Sequence, residues 1–333
     1  MPLLARNLFL KLCKFEPMFR YEPFKALNLW IPAFVSGKMT MGLESPVTPI
    51  FNVIDDLLDF SPIAQHALAF LLLAFEALIF NVIMVKSQIV GKVSTMGAFV
   101  FVLLMSLTRT QTNFYPFVLS VPFILLAIDR LFEIYLMPNP ELNLLKVGIY
   151  VALASMCYFP SIVLILWVMI VLPIAKKGSL RLQLIPLLGF LAVYFLYFVG
   201  VFLFSNLQTV WAGYRDYFLT FRLSVAGFNL RTIALLVLLI VPTLFLIYGS
   251  NNSNLEKTVA VRTKISMVTI MFFFALFLLF VGGNVLMNGL IFIVLSVLVA
   301  YGFSYLGNTG WANLFLTLFM MLVFANQYYF KWL

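Results

Sequence analysis

Three aspartates, Asp55, Asp56 and Asp59, form the densest acidic group in the chain, and Glu44 precedes them. Adjacent carboxylates can act as a general base or bind a divalent metal, so Asp55 and Asp56 are candidate catalytic residues. If this segment is helical, Asp55 and Asp59 share one face, because residues four apart are neighbours on a helix. The alternative is a solvated acidic turn at the start of the next helix, where acidic residues are favoured.

A second group of candidates consists of arginines that could bind a phosphate. The segment Trp211–Arg222 mixes aromatic residues with Arg215 and Arg222, while Arg109 and Arg231 lie at the ends of predicted helices. Arginine can hold a phosphate through two hydrogen bonds, and amphipathic aromatic residues settle at the level of lipid headgroups. We therefore expect these four arginines to bind the phosphate of a polyprenyl-phosphate-linked sugar or of another lipid. The alternative is an interfacial helix that only anchors the loop.

Polar residues inside an apolar run form the third group. Glu76 lies near the middle of the second predicted span, Asn81 follows about one turn later, and His66 lies at the outer end. A carboxylate at this depth is costly unless it is paired or protonated, which makes Glu76 a functional candidate. The alternative is a neutral carboxyl bonded to a neighbouring helix. Because His66 is the single histidine, a multi-histidine iron or zinc centre, and with it a membrane-bound carotenoid oxygenase, is excluded.

Other catalytic signatures do not occur in the sequence. It contains no Ser-His-Asp order, Walker loop, dinucleotide fingerprint or CxxC pair. Cys13 and Cys157 are far apart and form neither a disulfide framework nor a metal-binding spacing. We expect no cofactor, apart from a divalent metal if Asp55 and Asp56 are catalytic.

The elements that position these candidates are long apolar helices. Hydrophobic residues make up 64% of the 333 residues and charged residues 10%, and the mean hydropathy is +1.08. These values lie far outside the range of soluble domains, and the apolar runs are long enough to span a bilayer. The sequence therefore predicts an all-α transmembrane bundle with about eleven spans. The predicted spans are 24–41, 62–85, 94–109, 115–136, 146–159, 160–175, 182–205, 231–249, 264–282, 286–306 and 311–330.

Lysine and arginine predict the orientation of this bundle. With eleven spans and a cytoplasmic N-terminus, 15 of these residues fall inside and 6 outside, in keeping with the positive-inside rule. Treating 146–175 as one helix gives 13 against 8, and omitting 24–41 gives 11 against 10. We therefore predict two short helices that meet at Pro160, since proline removes a backbone donor and clashes with the preceding turn. Such breaks often lie where a polar substrate enters, and the alternative is an ordinary proline kink.

The domain organisation follows from the same pattern. Residues 1–23 are predicted to form a basic amphipathic leader on the cytoplasmic leaflet, or a plain positively charged leader, and residues 24–333 form one transmembrane domain. The net charge of +9 is spread over short loops, so we expect no nucleic-acid partner. The expected surroundings are the lipid bilayer of the bacterial inner membrane, with a membrane protein as a further partner.

Several segments resemble a family of multi-pass inner-membrane proteins from Bacteroidota that is catalogued as a domain of unknown function. These segments are Glu76–Asn81 with the basic turn that follows, Val147–Pro160, Lys176–Arg181, and Ala300–Tyr305 continuing to Trp311–Asn313. The similarity covers most of the chain beyond about residue 60. It implies a multi-pass inner-membrane protein and brings no activity or catalytic residue with it.

A looser similarity is to the multi-spanning glycosyltransferases that use polyprenyl-phosphate sugars. Those proteins carry acidic residues in the first outer loop, as Asp55 and Asp56 would, and a small-residue helix before a short broken helix, as in Gly148–Pro160. We expect the chain to depart from them in having neither a long first loop nor a soluble C-terminal domain. The similarity implies a glycosyltransferase-like envelope protein that acts on a lipid-linked substrate at the outer face. Alternatives are a non-enzymatic subunit of an envelope assembly and a proton-coupled carrier whose path passes Glu76 and Pro160.

Overall fold

In the computed structural model, every regular element of the described chain is helical, which confirms the all-α prediction. The predicted leader 1–23 and the predicted span 24–41 lie outside the described residues. The structure describes residues 49–50, 62–90, 95–107, 114–135, 137–175, 177–204, 208, 210–212, 214–215, 237, 239–244, 259–280, 289–305 and 309–324.

The helices follow the predicted apolar runs, with ends that differ by up to a few residues, and some ends coincide with proline or a charged residue, as Pro62 and Lys86 do in α1. In chain order they are α1 Pro62–Lys86, α2 Met96–Met105, α3 Pro116–Ile134, α4 Glu141–Cys157, a 3-10 helix Phe159–Val163, α5 Leu164–Ile174, α6 Leu180–Phe204, α7 Val259–Phe280, α8 Leu290–Tyr305 and α9 Thr309–Phe324.

Three of these helices are long and apolar enough to cross a membrane. The qualifying segments are Gln65–Lys86 in α1, Leu180–Leu203 in α6 and Val259–Leu278 in α7. Shorter apolar helices include α2, with 10 residues. A helix of this length extends about 15 Å, roughly half the thickness of the hydrocarbon core of a bilayer.

The chain reverses direction between α4 and α5. The sequence allowed residues 146–175 to form either one helix or two. The Lys177 Nζ, which follows α5, donates to the carbonyl oxygen of Met137, which precedes α4, at 2.9 Å. The two helices are therefore antiparallel, and 146–175 is not a single helix. Tyr158 is extended, and Pro160 occupies an early position of the 3-10 helix that follows. A proline in the first turn of a helix removes a donor that would have no intrahelical partner.

Contacts between helix termini show which ends of the helices lie together. Arg181 at the start of α6 pairs with Glu141 at the start of α4, at 3.0 Å. Lys264 in the second turn of α7 donates to the carbonyl oxygen of Ser87, just beyond α1, at 2.9 Å. The ends of α1 and α3 are also joined by ion pairs. We call this end of the bundle the charged end, and it is defined by Lys86, Asp129, Glu133 and Lys264.

The closest helix packing is between α4 and α6. A Cβ atom added at Gly148 would overlap the carbonyl oxygen of Pro186, and one added at Gly189 would overlap that of Leu145. The two backbones therefore touch directly, as small residues permit in membrane helices. Helix α4 also packs against α3, and α8 is buried from Leu290 to Phe303 between neighbours that include α2 and α7.

Candidate functional site

The predicted outer-face site lies mostly outside the described part of the chain. This holds for the acidic residues Asp55, Asp56 and Asp59 and for Arg109, Arg222 and Arg231. Arg215 is described, is exposed, and follows the buried Tyr214. The proposed catalytic role of Asp55 and Asp56, a divalent metal there, and phosphate binding by the four arginines therefore stay predictions.

Glu76 is the most unusual side chain in the described structure. It lies in the middle of α1, its side chain is 0% exposed, and neither carboxylate oxygen has a hydrogen-bond partner among the described residues. The buried face of α1 around it consists of apolar residues, including Leu73, Ala77 and Phe80. An ionised carboxylate without a partner is very costly in such surroundings, which favours the neutral form of the carboxyl.

Asn81 serves the packing of α2 and is not a partner of Glu76. Its side-chain oxygen accepts a hydrogen bond from the backbone nitrogen of Ala98, in the first turn of α2, at 3.4 Å. A Cβ atom at Gly97 would lie 3.2 Å from the same oxygen, so glycine leaves room for the approach. Asn81 thus supplies an acceptor to the start of α2, whose own N-cap residue makes no side-chain capping bond.

His66 lies on the other side of Glu76, towards the opposite end of α1. The two residues are ten positions apart, which corresponds to about 15 Å along a helix. The side chain is partly buried, and its Nδ1 atom is buried without a hydrogen-bond partner in the described structure. No group of three or more potential metal ligands occurs within the described residues.

An aromatic pair separates Glu76 from the charged end. Phe80, one turn beyond Glu76, stacks on Phe101 of α2 with ring centroids 4.8 Å apart and an interplanar angle of 28°. Both rings are essentially unexposed, and Ile83 and Met84 continue the buried face of α1. Large apolar side chains therefore lie between Glu76 and the charged end on the buried face of α1, beside the half-buried Asn81.

The charged end is a polar network that the sequence reasoning missed. Lys86 bonds both carboxylate oxygens of Asp129, at 3.0 and 3.1 Å, and pairs with Glu133. Glu133 also receives hydrogen bonds from Arg130 at 2.9 Å and from Asn143 at 3.2 Å. The signal in the sequence was two acids and an arginine within five residues at the end of the fourth predicted span, 115–136, but nothing local identifies Lys86 as their partner.

The chain reversal and the arginine-bearing loop segment lie side by side. The ring of Tyr214 lies 5.5 Å from that of Phe159, in the 3-10 helix, and 6.2 Å from that of Phe198, in α6. Burial raises the pKa of the Tyr214 hydroxyl, which therefore stays protonated at neutral pH. The structure thus brings the segment that carries Arg215 to the break at Pro160, two features that the sequence presented separately.

Comparisons with models of protein families, with curated proteins and with solved structures find no match. The resemblance to the Bacteroidota family and the looser similarity to glycosyltransferases therefore stay predictions. Any functional argument has to come from the geometry of the residues themselves.

Proposed function

We propose that this chain is a multi-pass protein of the bacterial inner membrane that works as a proton-coupled carrier, with Glu76 as the group that takes up and releases the proton. The observation that supports it is the fully buried Glu76 carboxyl, whose two oxygens have no hydrogen-bond partner among the described residues.

The physical argument concerns what such a group can do. A carboxyl in an apolar interior is stable while it is neutral and becomes costly when it ionises. Hydration from either end of the bundle lowers that cost and allows the proton to leave. Glu76 can therefore couple a proton to a conformational change, which a permanently paired carboxylate cannot do as easily. The chain reversal at Pro160 offers the irregular backbone that often binds a polar substrate in carriers.

The charged end supports the proposed orientation, with about eleven spans and a cytoplasmic N-terminus. Five basic residues that the positive-inside rule assigns to the cytoplasm lie at or beside helix termini of this end. They are Lys86, Arg130, Lys177, Arg181 and Lys264. Fusing a reporter domain after Lys86 and after Lys177 tests the orientation, since both fusions should report the cytoplasmic side.

The carrier function is tested with purified protein in liposomes that contain a pH-sensitive dye. A panel of inorganic ions, sugars and amino acids is added outside, and proton movement across the membrane is recorded. We expect at least one solute to drive proton flux with the wild-type chain and none to do so with Glu76→Gln. The matched control is Glu141→Gln, which changes an exposed acid paired with Arg181 and should keep the flux. Wild-type flux in Glu76→Gln, or no flux with any solute, would contradict the proposal.

A further inference from the structure

Glu76 lies midway along α1, so its position alone does not decide from which end its proton is exchanged. Ten residues separate it from His66 and ten from Lys86, which places each about 15 Å away along the helix. What fills the space on either side therefore decides the route.

The side towards the charged end is filled with large apolar groups. Phe80 is 1% exposed and stacks on Phe101, which is 0% exposed. Because side chains on a helix lean towards its N-terminus, the Phe80 ring covers the turn that holds Glu76. Among the described residues, the fully buried side chains of α1 between Glu76 and Ser87 are apolar. The half-buried Asn81 is the polar side chain of α1 that faces α2 in this stretch, and its oxygen accepts from the backbone nitrogen of Ala98.

The helices packed against α1 offer no closer titratable partner on that side. Helix α2 contains none in its sequence. The titratable residues of α3 are Asp129, Arg130 and Glu133, and they lie at the charged end, beyond Phe80. Lys264 of α7 also lies at that end, bonded to the carbonyl oxygen of Ser87.

The side towards His66 is also apolar next to Glu76, where Leu73 is buried, but its buried side chains are smaller than the pair of Phe80 and Phe101, and it leads to a histidine. His66, Ala69, Leu73 and Glu76 follow one another at intervals of three, four and three residues, so they form one stripe of the helix. Ala69 is 1% exposed and is the smallest side chain of this stripe, while the buried Nδ1 of His66 has no partner in the described structure. The two ring nitrogens of a histidine can donate and accept a proton.

We infer that Glu76 exchanges its proton through His66, past Ala69, and that the stacked rings of Phe80 and Phe101 close the route to the charged end. This inference rests on the proposed function, in which Glu76 binds the transported proton. It assigns His66 as a positioning and relay residue and makes the charged end the closed side of the described conformation. A carrier in this state takes up protons from one side of the membrane only.

The test follows hydrogen–deuterium exchange of the Glu76 carboxyl by infrared spectroscopy of the reconstituted protein. The carbonyl band of the protonated acid is identified by its loss in Glu76→Gln, and its shift after transfer to heavy water gives the exchange rate. We expect His66→Gln to slow this exchange about 100-fold, the lower end of what loss of a proton-transfer group produces. Ala69→Leu should slow it as well, because the larger side chain fills the route. Adding Phe80→Ala to Ala69→Leu should restore fast exchange, because it opens the route from the charged end.

Matched controls use the same substitutions on the outward face of α1. Ala67→Leu and Phe75→Ala change exposed residues, and both should exchange like the wild type. If Ala69→Leu does not fold, His66→Gln decides alone, since His66 is only partly buried. Wild-type exchange in His66→Gln would overturn the inference while the carboxyl band is still present. Absence of a Glu76 band from the wild type would instead contradict the proposed function.

Discussion

The carboxyl groups of the charged end have cationic partners, whereas the carboxyl of Glu76 has no partner among the described residues. Asp129 and Glu133 lie within reach of Lys86, and Glu133 also receives bonds from Arg130 and Asn143. Glu76 has no partner among the described residues and is surrounded by apolar side chains. The first arrangement pairs negative charge and joins helices, whereas the second leaves a carboxyl without a partner, whose proton we propose is released during transport.

The largest expected effect comes from breaking the direct backbone contact between α4 and α6. Gly148→Ala places a methyl group against the carbonyl oxygen of Pro186, where backbone cannot easily move away. We expect a loss of about 3 kcal/mol in unfolding free energy, typical of severe overpacking. Gly200→Ala is the control, because nothing lies within 4 Å of its added Cβ. Thermal unfolding in detergent compares the two variants, and equal stability would contradict the direct contact of α4 with α6.

A smaller effect is expected from removing the shared cation of the charged end. Lys86→Met leaves Asp129 and Glu133 without their common partner, at a cost of about 1 kcal/mol, because Lys86 is partly exposed and solvent screens the pairs. The deficit should shrink at high salt, which weakens these ion pairs in the wild type as well. Arg181→Met, in the exposed pair with Glu141, should change stability little. A salt-independent deficit in Lys86→Met would show that packing, not charge, holds this end together.

The smallest effect on stability is expected at Glu76 itself. Glu76→Leu removes a buried carboxyl that makes no bond within the described structure, so unfolding free energy should stay within about 1 kcal/mol of the wild type or rise. Activity in the liposome assay should nevertheless be lost. A large loss of stability would mean that Glu76 bonds to a partner outside the described residues, which would remove the contrast with the charged end.

The sequence predicts where the helices of this chain lie better than it predicts which helices pack against one another. The predicted span 62–85 agrees with α1 Pro62–Lys86, since an apolar run between a proline and a lysine leaves few alternatives. Helix α4 begins at Glu141, five residues before the predicted start. The apolar pattern misses these first turns because they carry polar residues, among them Asn143, which bonds to Glu133.

Of the candidate site, the sequence predicts only the position of a residue along its own helix. The position of Glu76 in the middle of α1 follows from its place in the apolar run, and its burial does not. The pairing of Lys86 with Asp129 joins residues 43 positions apart and depends on which helix ends meet. The same holds for the stacking of Phe80 on Phe101, because aromatic residues at these positions fit equally well against lipid.

The reversal at Phe159–Val163 has a consequence for how the chain enters a membrane. Because Lys177 returns to Met137, the α4–α5 hairpin begins and ends on one side. In the proposed topology, both arms cross the bilayer, so the hairpin adds an even number of crossings and its deletion would leave the sidedness of all later segments unchanged. Under the same proposal, a continuous helix in place of the break would add one crossing and invert the segments that follow.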